Sequence, residues 1–532
     1  MNKHNINLLD LPTEILFFIL KKLNNIEVLY SLLDVNNQRL DVVAQDKIFT
    51  TKLDFVFMSQ SINAVSSISN STLNRFCFSI LPRIHRDIKS LILDSNFMEC
   101  ILRAAYYPNL TNLEIYNFNN AIVSHYFIDG TSFQHIFKQQ ITDLILHINE
   151  DIKTIKTEYT ENDYAVILSF FQNLRHLTIV SQSSVDNYPY LLLQNLPLHT
   201  FFSSTLAKLS INVYDLNDVY ALLDGRLKQL AKLIVQIKYI NRSAISYNRN
   251  DLSNLKHFSL TCHTIFEESD NVIVHLLHRM QHLEELTLYL HLYGESSFIY
   301  GTYLDNEIVI HLSQLHSFTF YIASQNDMDV SDNRLLHSDI EHTFKNQGRW
   351  QVACMVDNFE PYEMIYRVFS LPFQFHLLEQ IGNNIPNIIF NSVTHLSLWD
   401  KDPFKYEFFI RLTRAFPFLR NLSIDNIIPS FLGESYHVRG KDWCSIIEYP
   451  HLISLDVKPA TISYVEEFLN ETKTHLPHLT ELKVTSMSLK RVTENFTKDE
   501  MRRNCAGVKR LIVDESIVYT DNMHRYFPSL LV

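Results

Sequence analysis

A short frame of apolar residues recurs along most of the chain and constrains its fold more than any other feature. In stretches such as YPNLTNLEI, MQHLEELTL and LPHLTELKV, an apolar residue precedes two variable residues, an apolar one, one variable residue and another apolar one. The end of this frame alternates with a period of two residues, which predicts a β-strand buried on one face. The first apolar residue of each copy, here called the anchor, recurs every 22 to 33 residues outside one gap between 315 and 393. The anchors are Ile88, Leu110, Ile141, Leu174, Leu206, Leu230, Leu255, Leu283, Leu315, Val393, Leu419, Leu452, Leu479 and Val508.

Helical patterns lie between several of these strands. Apolar residues at three- and four-residue steps predict helices at 164–171, 272–280, 404–415 and 465–469. A single strand and helix cannot bury their apolar faces alone, whereas stacked copies build one continuous core. We therefore expect an α/β solenoid over residues 84–532, with its strands lining the concave side.

Residues 324–392 do not follow the frame cleanly. The stretch 349–356 predicts a strand, 375–381 predicts a helix, and 324–346 predicts a polar loop. One or two irregular repeats with an inserted loop would explain this pattern. The alternative is a break between two separate arrays.

The stretch LLDLPTEILFFILKKL at 8–23 is the most apolar part of the N-terminal region. Only 15–20 form an uninterrupted apolar run, with Glu14 before it and two lysines after it. A secretory leader needs about 7 to 15 apolar residues after a basic flank, and a membrane span needs about 20. The three- and four-residue spacing instead predicts an amphipathic helix, followed by two more short helices within 26–43. We expect a cytoplasmic or nuclear protein with no membrane partner.

Three short helices in about fifty residues form a small core that would gain from a partner. Their residues resemble an F-box over 8–52: Leu11-Pro12-x-Glu14-Ile15-Leu16, then Ile19-Leu20, Leu23, Leu29, Leu32, Val35 and Arg39. The apolar frame resembles leucine-rich repeats of the long, ribonuclease-inhibitor-like kind. These resemblances imply an F-box at 1–52, a helical linker or cap at 53–83 and leucine-rich repeats at 84–532.

An F-box followed by leucine-rich repeats resembles the substrate-receptor subunits of Skp-cullin-F-box ubiquitin ligases. The resemblance implies that the F-box binds a Skp-type adaptor, and through it a cullin, while the repeats bind a protein target. The implied adaptor-binding residues are Leu11, Pro12, Ile15, Leu16, Ile19, Leu29, Leu32 and Val35. The alternative is an interaction scaffold without a ligase role, in which the N-terminal helices cap the solenoid and bury Leu11, Ile15 and Ile19 near Ile88 and Leu91.

Target recognition would fall to the variable positions of the frame and to exposed aromatic residues. The candidates are Arg175, His176, Lys256, His257, Glu284, Glu285, His395, Trp399, Arg420 and Asn421. Trp399, interpreted as lying just past a strand end, is the best single hot-spot candidate because aromatic residues dominate protein interfaces. The alternative is that its ring only packs at the edge of the sheet. These positions are mixed in charge, and we expect no run of one sign across neighbouring strands.

The sequence contains no pattern that supports catalysis or a cofactor. It has neither HExxH nor GxSxG, its nine glycines form no phosphate-binding loop, and its six cysteines form no CxxC. His275, His278 and His282 are spaced along one predicted helix, opposite its apolar stripe, so we interpret them as a solvated face and expect no metal. The net charge of -12 also gives no bulk attraction for nucleic acid.

Overall fold

The computed structural model describes most of the chain. The described residues are all those outside 1–10, 59–64, 128–129, 131–132, 135, 149–160, 182–192, 194–202, 241–251, 268–271, 295–296, 328–336, 346–349, 360–362, 402, 427–444, 516–519 and 531–532. They form a mixed α/β fold with a large, mostly parallel sheet, as the sequence predicts.

Four short helices form the N-terminal helical unit. They are α1 (Thr13–Leu20), α2 (Asn25–Leu32), α3 (Gln38–Ala44) and α4 (Lys47–Thr50). Polar side chains start three of them: Asn24 forms a capping box with Glu27 before α2, while Asn37 and Asp46 accept hydrogen bonds from the first turns of α3 and α4. Such caps satisfy backbone N–H groups that have no partner inside a helix. The three predicted helices are thus confirmed, and α4 adds a fourth.

The next segment joins this unit to the main sheet. It contains β1 (Lys52–Asp54), the hairpin of β2 (Val56–Met58) and β3 (Val65–Ser67), and helices α5 (Asn70–Arg75) and α6 (Leu81–Ile84). Strand β1 pairs in parallel with the strand that follows the first anchor. The predicted linker at 53–83 therefore contains strands as well as helices. The sheet begins at Lys52, where the backbone groups of β1 pair with the edge of the next strand, which would otherwise be unpaired.

The main sheet continues in chain order from β1 through nine parallel strands of the described chain. They are β4 (Ser90–Asp94), β5 (Asn112–Phe118), β6 (Asp143–Ile148), β7 (His176–Ser181), β8 (Lys208–Asp215), β9 (Lys232–Tyr239), β10 (His257–Glu267), β11 (Glu285–Tyr293) and β12 (Ser317–Asp327). The antiparallel strands β13 (Val352–Phe359) and β14 (Glu363–Ser370) form the end of this sheet, in the order β12-β14-β13.

Helices follow many of these strands. They are α7 (Ser95–Ala104), α8 (Asn120–Tyr126), α9 (Glu161–Phe170), α10 (Leu216–Leu222), α11 (Val272–Leu277), α12 (Gly301–Glu307) and α13 (His337–Lys345). Burial alternates along several of the strands: in β8, Leu209, Ile211 and Val213 are buried while Lys208 and Ser210 are half-exposed. The half-exposed side of β7–β10, opposite the buried strand residues, is called the open face below.

A second parallel sheet occupies the C-terminal part of the described chain. Its order is β15 (Leu377–Ile381), β16 (His395–Asp400), β17 (Asn421–Asn426), β19 (Ser454–Asp456), β21 (Glu481–Lys483) and β22 (Arg510–Ile512), with β18 (Ile447–Glu448) paired to β20 (Thr474–His475). Its helices are α14 (Tyr406–Ala415), α15 (Ile462–Leu469), α16 (Ser486–Val492), α17 (Arg502–Cys505) and α18 (Asp521–Tyr526).

The anchors have the same role in both sheets. Each is at most 4% exposed, and a strand begins two residues after each one. The two backbone N–H groups that follow an anchor commonly donate to one carbonyl of the preceding copy, as Arg175 and His176 donate to the carbonyl of Thr142. The frame therefore predicts both the position and the register of the strands.

Several local predictions are wrong. The stretch 375–381 is not a helix. Leu377–Ile381 forms β15 because its backbone pairs in parallel with β16, and the register of this pairing shifts between Leu378 and Ile381. Part of the predicted polar loop at 324–346 belongs to β12 and α13, and the rest lies outside the described residues. The strand expected at 349–356 is present as β13, displaced toward the C-terminus.

Candidate interaction surfaces

The N-terminal helical unit exposes an unusual concentration of large apolar side chains. Seven of the seventeen such side chains among the described residues lie between 15 and 48. They are Ile15, Phe18, Ile19, Leu23, Val35, Val42 and Ile48. Exposed apolar clusters of this kind mark surfaces that bind another molecule, whereas single exposed apolar residues are ordinary.

Helix α1 carries the most exposed of these groups on one side. Ile15, Phe18 and Ile19, here called the outer face of α1, are spaced at three- and four-residue steps and are 46%, 66% and 39% exposed. On the inner side, Leu16 and Leu20 are buried and Phe17 stacks on Phe49 at 5.8 Å between ring centroids. An apolar helix is ordinarily covered all round, so the outer face is available for a partner.

The residues predicted to bind an adaptor therefore divide into two groups. Pro12, Ile15, Ile19 and Val35 are exposed, and Leu11 is half-buried. Leu16, Leu29 and Leu32 are buried inside the protein, where they support the exposed residues rather than offer surface themselves.

Polar contacts hold this surface in shape. Arg39 of α3 donates through Nη2 to the carbonyl of Leu11, at 2.5 Å, and to Oγ1 of Thr13. Arg83 forms an ion pair with Asp34, immediately before Val35. The start of α1 and the α2–α3 turn are thereby tied to neighbouring elements, so the exposed apolar groups lie on a fixed backbone.

The same unit also covers the end of the main sheet. Leu29 and Phe49 belong to one apolar core with Leu53 of β1 and Ile88 and Leu91 near β4. Asn25 adds a side-chain hydrogen bond to the carbonyl of Lys52, at 2.8 Å. Helices α2 and α4 thus cap the sheet through their inner sides, while the outer face of α1 faces away from this core.

A row of basic residues crosses the open face of the main sheet. His176, Lys208, Lys232 and His257 are the first residues of β7, β8, β9 and β10 and are register partners of one another. We call these four residues the basic row. The expectation of no run of one sign across neighbouring strands did not include the adjacent Lys208 and Lys232, because strand register places side chains together that are 24 to 32 residues apart in sequence.

Acidic residues pair with both ends of this row. His176 Nδ1 lies 2.5 Å from Asp143 Oδ1, and His257 Nδ1 lies 2.8 Å from Glu285 Oε2. One residue earlier, Lys256 Nζ lies 2.6 Å from Glu284 Oε1, and this hydrogen bond lowers the pKa of Glu284.

The sequence prediction named both ends of the row, and Arg175 is exposed beside His176. It missed Lys208 and Lys232, which occupy the same frame position in the weaker copies STLAKLSI and LKQLAKLIV. That shared frame position was the signal that could have identified them.

The remaining target-binding candidates belong to the second sheet. His395 and Asn421 are register partners at the start of β16 and β17, and Arg420 is exposed immediately before β17. Burial lowers the pKa of His395, and the nearby His376 and Arg420 add to this effect. Trp399 lies inside β16 rather than past its end, and its half-buried ring meets Phe359 edge to face at 5.6 Å. This contact restrains the ring and reduces the surface it can offer.

A buried polar cluster lies where the two sheets meet. Tyr289 and Tyr321 stack at 4.6 Å between ring centroids, and Phe375 contacts both rings edge to face. The segment before β15 thus covers the side of β11 and β12 that carries Tyr289 and Tyr321. This part of the main sheet is unavailable to a target.

Burial controls the protonation of this cluster. Burial lowers the pKa of His291 to about 4 and raises the pKa of Tyr321 to about 12. Burial also raises the pKa of Glu379, but His263, whose Nδ1 lies 3.6 Å from Glu379 Oε2, and the nearby His291 outweigh this effect, so that the pKa of Glu379 is lowered. Near neutral pH these shifts leave His291 neutral and Glu379 ionised.

The histidines at 275, 278 and 282 do not lie on one helix. Helix α11 ends at Leu277, because the amide of Met280 bonds to the carbonyl of Leu277 in the turn that leads to the next anchor. His278 Nε2 lies 2.7 Å from the carbonyl oxygen of Glu307, and His282 Nδ1 lies 3.2 Å from Gln314 Nε2. Among the described residues, no group of His, Cys, Asp and Glu side chains has a geometry that could hold a metal ion.

Within the described part of the chain, no helix combines the length and the apolar character needed to cross a membrane. Comparison of the sequence with models of known protein families finds no matching family, and comparison with curated proteins finds no match.

Proposed function

We propose that the protein is the substrate receptor of a Skp-cullin-F-box ubiquitin ligase. In this proposal the N-terminal helical unit is an F-box that binds a Skp-type adaptor, and the two sheets are leucine-rich repeats of one solenoid that binds the target. The observation that carries the proposal is the exposed outer face of α1 on a unit that exposes seven large apolar side chains in all.

The proposed docking surface has the composition of an interface core. Ile15, Phe18 and Ile19 bring three apolar groups onto one turn-and-a-half of helix, next to the exposed Pro12. Apolar burial contributes about 25 cal/mol per Å² of surface removed from water, so covering these groups favours a complex. The charged contacts of Arg39 and Arg83 hold the surface in advance of binding, which reduces the entropy lost on association.

The mechanism would be one of proximity rather than catalysis by this chain. The receptor would hold its target near a ubiquitin-charged conjugating enzyme bound elsewhere in the complex and raise the effective concentration of the target's lysines. No cofactor is needed for this role.

Co-purification with the adaptor tests the proposal. The intact protein should retain a Skp-type adaptor through size-exclusion chromatography, and the variant Ile15→Ser with Ile19→Ser should lose it. Both side chains are exposed, so this variant should fold normally. Met487→Ser is the matched control, because Met487 is 76% exposed on α16, away from the helical unit, and should leave adaptor binding unchanged.

The double variant Leu11→Ala with Pro12→Ala distinguishes the ligase role from the alternative. Failure of the intact chain to retain any adaptor would refute the ligase proposal. The alternative is an interaction scaffold in which the helices serve only to cap the sheet, and the shared core of Leu29, Leu53 and Ile88 favours a capping contribution. That alternative expects the double variant to lower the melting temperature and the surface variant at Ile15 and Ile19 to have no binding phenotype.

A further inference from the structure

The basic row on the open face of β7–β10 is the strongest unassigned feature of the described chain. We infer that this row binds an acidic, extended peptide segment, and that such a segment is what the target presents. The inference rests on the proposed function only in assigning the segment to a target. The binding itself is a property of this chain and requires no adaptor.

The two central lysines carry the argument. The outer histidines of the row have acidic neighbours at Asp143 and Glu285. No carboxylate of the described residues forms an ion pair with Lys208 or Lys232, although these two are direct register partners. Like charges placed opposite each other on neighbouring strands are destabilising, so a bound anionic group would relieve their repulsion.

The row is positive against the trend of the molecule. The chain carries a net charge of -12 with histidines neutral, yet Lys208 and Lys232 are register partners at the start of β8 and β9. Arg175 and Lys256 immediately precede the flanking strands β7 and β10. The electrostatic potential close to the row, rather than the net charge of the protein, decides which charged partner binds there, because salt screens charges beyond about 8 Å at physiological ionic strength. The row therefore complements a short acidic segment.

The next row of the open face leaves space for a peptide backbone. Two residues further along the strands, Thr178, Ser210, Ile234 and Ser259 are register partners and are half-exposed. Three of these side chains are small and carry a hydroxyl that can donate to a peptide carbonyl or carboxylate. Four strands spaced at about 4.8 Å give a row of about 15 Å, which matches four or five residues of extended chain.

The same two rows are poorly suited to a single-stranded nucleic acid. Binding of single strands without sequence preference relies on aromatic side chains that stack on the bases, in addition to positive charge. The row of Thr178, Ser210, Ile234 and Ser259 has no aromatic ring, and in the basic row the only rings are those of His176 and His257, each beside a carboxylate. An acidic peptide needs only the ammonium and hydroxyl groups that are present.

Fluorescence anisotropy with a defined probe tests the inference. The probe is a labelled peptide of about ten residues in which glutamate alternates with serine, titrated with the full-length protein in the absence of adaptor. Saturable binding is expected, and Lys208→Gln with Lys232→Gln should weaken it about tenfold, which corresponds to about 1.4 kcal/mol. The control Lys490→Gln with Arg491→Gln removes two exposed charges from α16 and should leave the affinity unchanged.

A stability measurement excludes unfolding as the cause of lost binding. Because the paired lysines repel each other, the Lys208→Gln and Lys232→Gln variant should melt at the same temperature as the parent protein or higher. The reversed variant, Lys208→Glu with Lys232→Glu, should reject the glutamate probe and bind a lysine–serine peptide of equal length.

Three outcomes would overturn the inference. The first is unchanged probe affinity in the Lys208→Gln and Lys232→Gln variant. The second is equal binding of the lysine–serine peptide by the parent protein, and the third is tighter binding of a single-stranded oligonucleotide of equal charge. Loss of adaptor binding with retained peptide binding would refute the ligase proposal alone, so the two failures are distinguishable.

Discussion

Arg367 donates through Nη1 to Oδ2 of Asp357 at 2.8 Å, and both side chains are at most 2% exposed. Arg367 Nη2 also donates to the carbonyl of Gln380 at 2.5 Å. Since Asp357 and Arg367 lie on β13 and β14 and Gln380 lies on β15, this group of contacts joins the last hairpin of the first sheet to the first strand of the second. The junction is thus fixed by charge as well as by apolar packing.

We expect Asp357→Ala to destabilise the protein severely, because it leaves the buried Arg367 guanidinium without its counter-charge. Breaking a buried ion pair on one side costs about 3 to 5 kcal/mol. The double variant Asp357→Leu with Arg367→Met should lose less, since no buried charge remains. Urea unfolding followed by circular dichroism measures both, and Arg510→Ala, which removes an exposed partner of Glu481, should cost less than about 1 kcal/mol. Equal losses in all three variants would contradict the assigned role of the junction pair.

The second prediction concerns acid sensitivity at His291. Burial lowers its pKa in the folded protein to about 4 from an ordinary value of 6.5, so the unfolded chain binds more protons between these pH values. The contribution to stability is therefore complete above about pH 6.5 and is lost as the pH falls toward 4, by about 3 kcal/mol in all. Unfolding free energies measured across this range should show that loss, and His291→Phe should flatten it. An identical pH dependence in this variant would assign the acid sensitivity to other groups.

A third prediction separates the two sides of the N-terminal helical unit. Leu29→Ala should destabilise the protein by about 2 to 5 kcal/mol, because it leaves a cavity in the core shared with β1. Phe18→Ser should change stability by less than about 0.5 kcal/mol, because its side chain is exposed. Thermal unfolding of the two variants beside the parent protein measures the difference. A large loss in Phe18→Ser would mean that the outer face of α1 is covered within this chain.

The fourth prediction concerns a hydrogen-bonded tyrosine in the second sheet. Tyr464 of α15 donates its hydroxyl to Asp400 Oδ2 at 2.5 Å and accepts from the amide of Phe404 at 2.7 Å. Burial raises the pKa of Tyr464, and the charge of Asp400 together with its hydrogen bond raises it further. Tyr464→Phe removes both hydrogen bonds and should cost about 1 to 3 kcal/mol.

Tyr239→Phe serves as the matched control for this variant, because the ring of Tyr239 is exposed at the end of β9. Its melting temperature should equal that of the parent protein. A Tyr464→Phe variant that melted with the control would show that the amide of Phe404 finds another acceptor at little cost.

The sequence by itself determined the elements whose signals are local. Alternating burial follows several anchors, as in β6, β8, β9 and β16. Where it occurs, this period of two residues specifies both the strand and the side that faces the core, wherever the rest of the chain lies. The first helices were predictable for the same reason, since their apolar spacing and their capping residues at Asn24 and Asn37 act within one turn.

Only the tertiary structure decided which residues meet. The segment at 375–381 has the apolar content of a short helix, yet it is a strand because β16 offers it backbone partners. Tyr289 and Lys232 both occupy outward positions of the frame, but Phe375 covers Tyr289 while Lys232 stays half-exposed beside Lys208. Periodicity determines the side of a strand on which a residue lies. Strand register and the packing of distant segments determine its neighbours, and these depend on contacts that no local pattern encodes.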